Sequence, residues 1–278
     1  MVKLISLKNM FSYPKDMYLL EIYKYPLYYE IAFQYRDIEG ECDFLESQLE
    51  LQATASNRRI LDIGGGTGMH VVEFARRGYE VHSFDIVPEM VNWIKKKCKQ
   101  QGLEKVKVWI GDMTDFKQQF RYGLAINMLT TFNYLLTNED IIHHLKAVAD
   151  ALDKGGLYII ELTHPRDFLG VEKSTLNQWM ERRGDIVVEV DWDYEVHPVD
   201  PITQVQERLV KIEVQDGEKR RTFKMKQLNR ILLPEELKAL VAWSGAFEVV
   251  DIFGTYKEDI KLDKSRKSWR MIPILRKL

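Results

Sequence analysis

Ile60-Leu61-Asp62-Ile63-Gly64-Gly65-Gly66-Thr67-Gly68 is the stretch on which the reading of this chain turns. Its first four residues form a short apolar strand. Glycines then stand at alternate positions, 64, 66 and 68, and the run from about His70 to Arg77 reads as a helix. A strand that turns straight into a helix leaves the helix's first N–H groups free, with a partial positive charge beside them. Glycines let the backbone turn sharply there, and let a ligand lie against it with no Cβ in the way. Two phosphate-binding patterns fail on this stretch. The dinucleotide fingerprint needs a glycine where Met69 stands, and the phosphate loop needs a Gly-Lys pair that does not follow. The loop suits a ligand with an amino-acid end better than a pyrophosphate.

Outward from the loop the alternation repeats. Gly78 stops the first helix. Tyr79 to Phe84 reads as a second strand ending at Asp85, and Pro88 opens a helix to about Gln101. Val106 to Ile110, Leu124 to Leu129 and Leu157 to Leu162 read as three more strands, with a helix from Asn138 to Leu152 before the last. The rhythm then breaks. Ile186, Val188, Val190, Trp192, Tyr194 and Val196 share one parity, and Glu189, Asp191, Asp193 and Glu195 the other, which predicts a strand with one buried and one acidic face. Strand-like runs at 203–214 and 219–228 follow, joined by a hairpin turn at Gln215-Asp216-Gly217-Glu218. The last run carries Lys219, Arg220, Arg221, Lys224 and Lys226, so the acidic and basic strands are expected to pair. A helix from Pro234 to Ser244 and strands at Phe247 to Phe253 and Met271 to Leu275 restore the pattern. Upstream, residues 13–52 read as helical and rich in aromatic rings.

The predicted fold class is therefore α/β. It is a doubly wound, mostly parallel seven-stranded sheet with helices on both faces. A helical N-terminal cap occupies 1–52, the core 53–173 and 229–278, and an antiparallel β insertion 174–228 after the fifth strand. Ligands of such sheets bind at the carboxyl ends of the strands.

Composition narrows the classes. The 278 residues are 45% hydrophobic and 29% charged, enough for a full core under a wet surface. A net charge of -2 argues against a broad nucleic-acid surface. Cys42 and Cys98 lie far apart, so neither a disulfide framework nor a metal site is expected. No apolar run is long enough to span a bilayer, and Met1 to Met10 lacks a secretory apolar region. The expectation is a cytoplasmic protein with no membrane partner. The edges of the inserted sheet can pair between subunits, which would make a homo-oligomer.

Three more strand ends carry polar chemistry. Asp85, followed by Ile86, ends the second strand, where a carboxylate can accept both hydroxyl hydrogens of a ribose. That alone does not separate one adenosine cofactor from another. Gly111-Asp112-Met113 ends the third, where a carboxylate can accept from an adenine amine with Met113 against the ring. Asn127-Met128 ends the fourth. With these in place the chain resembles the class I S-adenosylmethionine-dependent methyltransferases, in order of elements from about residue 20 to 278 apart from the insertion. Asp62-x-Gly64-x-Gly66-x-Gly68 looks like that family's first motif, Asp85 like its ribose-binding acid and Asp112 like its adenine-binding acid.

The resemblance implies S-adenosylmethionine as cofactor. It implies that Gly64, Gly66 and Gly68 shape the pocket, that Asp62 helps hold the amino group, and that Asn127 lies beside the methionine moiety. It also implies a tyrosine from a helical lid over the cofactor, with Tyr28 and Tyr35 as candidates, and inserted strands walling the acceptor site. Asn127-Met128-Leu129-Thr130 is not the Asn/Asp-Pro-Pro-Tyr/Phe motif of nucleobase and glutamine amide methylation. The implied function is methyl transfer to an N or O atom of a small-molecule acceptor. Two alternatives stay open: RNA or protein methylation, motivated by the Lys219 to Lys226 run, and a non-catalytic cofactor-binding protein, motivated by the absence of a certain base.

His164, just past the fifth strand, is the candidate general base. Glu161, Trp192, Tyr194 and His197 are candidates for the acceptor pocket. His143 and His144 are adjacent on a helix, so they point about 100° apart and make a poor metal pair.

Overall fold

The computed structural model describes residues 21–169 and 177–278. The parts of the expected cap before residue 21, and the expected junctions at 170–176, lie outside them. Strands β1 (Ile60–Ile63), β2 (Val81–Asp85), β3 (Val106–Ile110), β4 (Tyr122–Asn127), β5 (Leu152–Ile160), β11 (Phe247–Phe253) and β12 (Arg270–Lys277) form one sheet in the order β11-β12-β5-β4-β1-β2-β3. The short β6 (Leu162–Thr163) adds to β12. All pairings among β1 to β5 are parallel, and β12 runs antiparallel to both neighbours. The seven expected strands and the doubly wound class are borne out.

The sheet is doubly wound because both of its faces are apolar. Along β4 and β5, Leu124, Ile126, Leu157 and Ile159 pack on one side, and Ala125, Tyr158 and Ile160 on the other. The first side is covered by α2 (Ile38–Gln52), α3 (Met69–Arg76) and α4 (Pro88–Gln100), through Phe44, Leu45, Phe74 and Ile94. The second is covered by α5 (Asn138–Ala151) and α6 (Pro234–Ser244), through Leu145, Val148, Leu237 and Val241. Both cysteines are buried and unpaired, on the α2 and α4 side. The strand order reverses where β1 lies between β2 and β4, and the glycine loop leaves β1 there.

The expected cap divides in two. Asp37 caps α2 by accepting from the Gly40 N–H at 3.0 Å, and the Cys42, Phe44, Leu45, Leu49 stripe puts this helix in the sheet layer. Among the described residues, the helical turn Glu21–Lys24 and α1 (Pro26–Ala32) form the cap. They pack against the insertion, where Ile22, Tyr29, Ile31 and Phe33 meet Val190, Val210, Ile212, Phe223 and Met225.

The insertion is a four-stranded antiparallel sheet in the order β10-β9-β8-β7. It comprises β7 (Gln178–Arg183), β8 (Ile186–Val196), β9 (Val205–Asp216) and β10 (Lys219–Arg230). It corrects the sequence reading twice. The acidic β8 and the basic β10 do not pair, because β9 lies between them, and Lys226 finds Glu207 on β9 instead. The apolar parity of β8 holds only through Trp192, which packs on Phe33 and Trp179. Its register shifts between Asp191 and Glu195, leaving Tyr194 and Val196 exposed.

Candidate active site

A cavity of about 420 Å³ opens at the carboxyl ends of β1 to β4. That is within the range of small-molecule sites. Its floor is the glycine loop, and each glycine there does a separate job. Gly64 (φ 70°) faces the β4 exit so closely that a Cβ would sit 2.7 Å from the Thr131 methyl. Gly66 (φ 53°) has nothing within 4 Å of where a Cβ would be, and its backbone borders the cavity. Gly68 (φ 72°) caps α3 and would clash with Ile94. Gly68 does not line the cavity; it holds the loop against α4 from behind.

Three carboxylates stand at three successive strand ends. Asp62 is buried on β1, and burial pushes its carboxyl up to about 6; the His70 charge opposes this and Asp85 adds to it. Asp85 accepts from the Gly66 N–H at 2.8 Å and the Val87 N–H at 2.9 Å, which ties the glycine loop to the β2 exit. Burial still raises its carboxyl against those bonds. Asp112 accepts from the Thr114 N–H (2.9 Å) and hydroxyl (2.7 Å), which fixes the β3 exit. Ile86 and Met113 complete these walls. Asp62, Gly64, Gly66, Asp85, Ile86, Asp112 and Met113 are thus brought together as expected.

Other expected residues are not. Asn127 is fully buried and its amide donates to the Ile63 carbonyl at 3.0 Å, so it stitches β4 to β1 and does not line the cavity. Tyr28 turns outward on α1 and donates to Asp216 at 2.8 Å. Tyr35 is half exposed, packed on Phe33 and Trp179. The roof tyrosines are Tyr23 and Tyr29 from the cap, with Tyr134 from the turn after β4. The Tyr23 and Tyr134 hydroxyls are 2.6 Å apart, and the Gln227 amide of β10 donates to Tyr134 at 2.8 Å.

His164 is also corrected. Both ring nitrogens are engaged by backbone, Nδ1 accepting from the Arg166 N–H at 3.2 Å and Nε2 donating to the Asp263 carbonyl at 3.0 Å. It caps the turn Pro165–Asp167, lies off the cavity, and is pushed toward neutrality by burial. Trp192 packs on Trp179 and Phe33, Tyr194 is exposed, and His197 sits at the surface beside Glu195 and Glu207; none lines the cavity. His143 is exposed, whereas His144 is buried, donating Nδ1–H to the Met113 carbonyl (2.8 Å) and accepting from Tyr158 (2.6 Å). Burial lowers it to about 4, so it stays neutral near pH 7.

Glu161 is fully buried behind the cavity. Arg36 grips it with two bonds, 3.1 and 2.8 Å, and Arg270 donates Nε–H at 2.8 Å. Burial alone would raise this carboxyl; Arg36 and Arg270 outweigh it and hold it well below the usual range. Arg36 also pairs with Glu41 (2.6 Å), which accepts from His70 (2.8 Å), and Arg36 and His70 both line the cavity. Tyr23, Tyr29, Arg36 and Tyr134 were missed by sequence reasoning. For Tyr23 and Tyr29 the sequence signal is an aromatic-rich segment in which any of several rings could face inward; Arg36 and Tyr134 carry no local signal.

Against this geometry the comparisons are decisive for the core. A model of a methyltransferase domain family matches residues 60–156, the segment that holds the glycine loop and all three acids. Residues 60–156 are a methyltransferase domain. A dTDP-3-amino-3,4,6-trideoxy-alpha-D-glucopyranose N,N-dimethyltransferase of Streptomyces venezuelae is 24% identical over 102 residues, 37% of this chain and 41% of that protein. The chain thus matches about two fifths of that curated relative's length. An S-adenosylmethionine-dependent methyltransferase structure from Clostridium acetobutylicum superposes with a TM-score of 0.73 at 19% identity, covering 90% of this chain and 96% of that one. The sugar N-methyltransferase KedS8 from Streptoalloteichus gives 0.70 at 18% identity, covering 95% and 96%. The methyltransferase domain and its surroundings therefore share the class I fold across nearly the whole chain. Among the described residues, no helix is long and apolar enough to cross a membrane.

Proposed function

We propose that this methyltransferase domain uses S-adenosylmethionine to methylate a small molecule, with a nitrogen, or failing that an oxygen, as the accepting atom. The observation that carries this reading is the cavity at the strand-order reversal, with Asp62, Asp85 and Asp112 around an open-faced Gly66. The residues fit the donor's chemistry. Asp62, desolvated and facing the cavity, is suited to an ammonium group. Each Asp85 oxygen keeps a lone pair for a diol, and Asp112 at the β3 exit suits an amine edge. Arg36 Nε is buried without a hydrogen-bond partner, at a place where a carboxylate would satisfy it.

When bound, the sulfonium supplies a methyl group that is already activated. The protein's part is then to hold the acceptor in line and exclude water, which can contribute on the order of 7–11 kcal/mol. The roof of Tyr23, Tyr29 and Tyr134 closes the cavity with aromatic surface, which also suits a cation. Four lining carboxylates, Asp62, Asp85, Asp112 and Asp140, face one guanidinium that Glu41 and Glu161 already pair. The cavity as a whole is therefore acidic, and the similarity to sugar N-methyltransferases supports an amine as the acceptor.

Calorimetric titration with S-adenosylmethionine, its demethylated product and NAD tests the reading. Binding of the first two and not of NAD is expected. Binding of NAD alone would overturn it. Product release on adding neutral amines, amino acids or phenols then sorts nitrogen from oxygen acceptors.

A further inference from the structure

The backbone directly after β4 is in an unusual state. Leu129 and Thr130 have φ of 51° and 57°, in the left-handed region that favours glycine. Neither is a glycine, and Leu129 has a bulky side chain. Two such residues in a row persist only where the surroundings over-determine them, and such sites cluster where ligands bind. This turn is part of the cavity wall: Met128, Leu129 and Thr131 all line it, and Thr131 abuts Gly64.

What holds the turn is Glu161. Its Oε2 accepts from the Leu129 N–H at 2.7 Å, and its own N–H donates to the Asn127 carbonyl at 2.9 Å, so it brackets the β4 exit on both sides of Met128. The same carboxylate holds the Arg36 fork, and Arg36 lines the cavity from the cap side. Glu161 itself does not line the cavity. Only a carboxylate offers two oxygens with enough lone pairs for Arg36, Arg270 and Leu129 at once; a carboxamide has one such oxygen and adds two donors of its own.

We propose that Glu161 is a positioning residue of the cofactor site: it locks the Leu129–Thr130 backbone left-handed and sets Arg36 in the wall, so that both are in place before a ligand arrives. The proposal rests on the methyl-donor reading given above.

The test is binding of S-adenosylhomocysteine to the whole chain by calorimetry, with thermal unfolding alongside. Glu161→Gln is expected to weaken binding about tenfold, the scale set by the cost of a left-handed non-glycine residue. Adding Leu129→Gly to that variant is expected to recover several-fold, because glycine takes this backbone unaided. A purely structural ion pair would not be rescued in this way. Should Glu161→Gln not fold, replacing Leu129 by its α-hydroxy acid removes the N–H alone and leaves the arginines paired; the same loss of about tenfold is expected. Unchanged binding by the hydroxy-acid variant, or effects of Glu161→Gln and Leu129→Gly that simply multiply, would overturn the proposal while leaving the methyl-donor reading intact. A parent protein that does not bind S-adenosylhomocysteine would sink both.

Discussion

Replacing Asp62 by asparagine probes the most unfavourable charge in the site. In the unfolded chain this carboxyl titrates near 3.8; in the folded protein burial, the main cause, holds it at about 6. Between those values the folded state keeps a proton that the unfolded state has lost. Stability from this group therefore falls as pH rises through the window from about 4 to 6, and the full penalty is present above about 6. Two pK units correspond to about 3 kcal/mol as an upper bound. Asparagine keeps the shape and drops the charge. Ligand-free Asp62→Asn is expected to be more stable than the parent by about 1–3 kcal/mol at pH 7.5, with the advantage fading toward pH 4. For a chain of this size that is a rise in Tm of several degrees, at roughly 2–4 °C per kcal/mol. Thermal unfolding of both proteins from pH 4 to 8 measures it. A Tm difference that stays flat with pH, or that favours the parent at pH 7.5, refutes the reasoning. The same substitution is expected to weaken S-adenosylhomocysteine binding about 10–100-fold at pH 7.5, since a charge-assisted bond to the amino group is lost. The site would then be a case of stability given up for a charge aimed at a ligand.

Asp85→Ala removes the acceptor for both the Gly66 and Val87 N–H groups as well as the diol contact, so calorimetry is expected to show at least a hundredfold loss of binding, on the order of 3 kcal/mol. Gly66→Ala meets no protein atom within 4 Å but puts a methyl toward the ligand at φ 53°; binding is expected to fall about tenfold with a loss of stability of only about 1 kcal/mol, measured by calorimetry and urea unfolding. His164→Ala is expected to lower Tm through loss of its two backbone bonds while turnover with any acceptor stays within about twofold; a drop of a hundredfold or more would restore the histidine as a base.

What the sequence displayed and what it hid have physical causes. Strands β1, β4 and β5 are buried on both faces, so they stand out as short apolar runs between helices of clear period, while β2, with His82 and Ser83 buried in it, shows only as the alternation from Tyr79 to Phe84. The floor of the cavity was legible for a related reason. Asp62, Gly64, Gly66, Asp85 and Asp112 sit on strand ends and the turns after them, where local backbone geometry alone decides which way a group faces. Strand β7 (Gln178–Arg183) was hidden because it is an edge strand whose residues are exposed or half exposed, Met180 at 61%, so no alternating pattern survives in it. Asn127 and Gly68 show the limit of strand-end reasoning: both lie in motif positions, yet one donates across to Ile63 and the other packs on Ile94.

The roof could not have been found by local reasoning at all. Tyr28 and Tyr29 are neighbours on α1, about 100° apart, and nothing in α1 itself says which should face inward. The choice is made far away in the chain: Asp216 takes the Tyr28 hydroxyl, and the face formed by Phe223 and Met225 takes the side of the cap that carries Tyr29. Tyr23 is fixed in the same way, by Tyr134 and through it Gln227. His164 failed as a base for the same kind of reason, since the Asp263 carbonyl that occupies its Nε2 arrives from a loop 99 residues downstream. The site therefore has two parts with different origins. The floor is built from the consecutive exits of β1, β2 and β3, each of which carries its own motif. The roof is assembled from the cap and the β4 exit; the inserted strands, expected to wall the acceptor site, line none of the cavity and only brace this roof from behind, through Gln227, Phe223 and Met225. Phe223→Ala or Met225→Ala, which alters no lining residue, is for that reason expected to move Tyr23 and Tyr29 and to change the ratio of kcat/KM between two amine acceptors; an unchanged ratio would refute this origin of the roof.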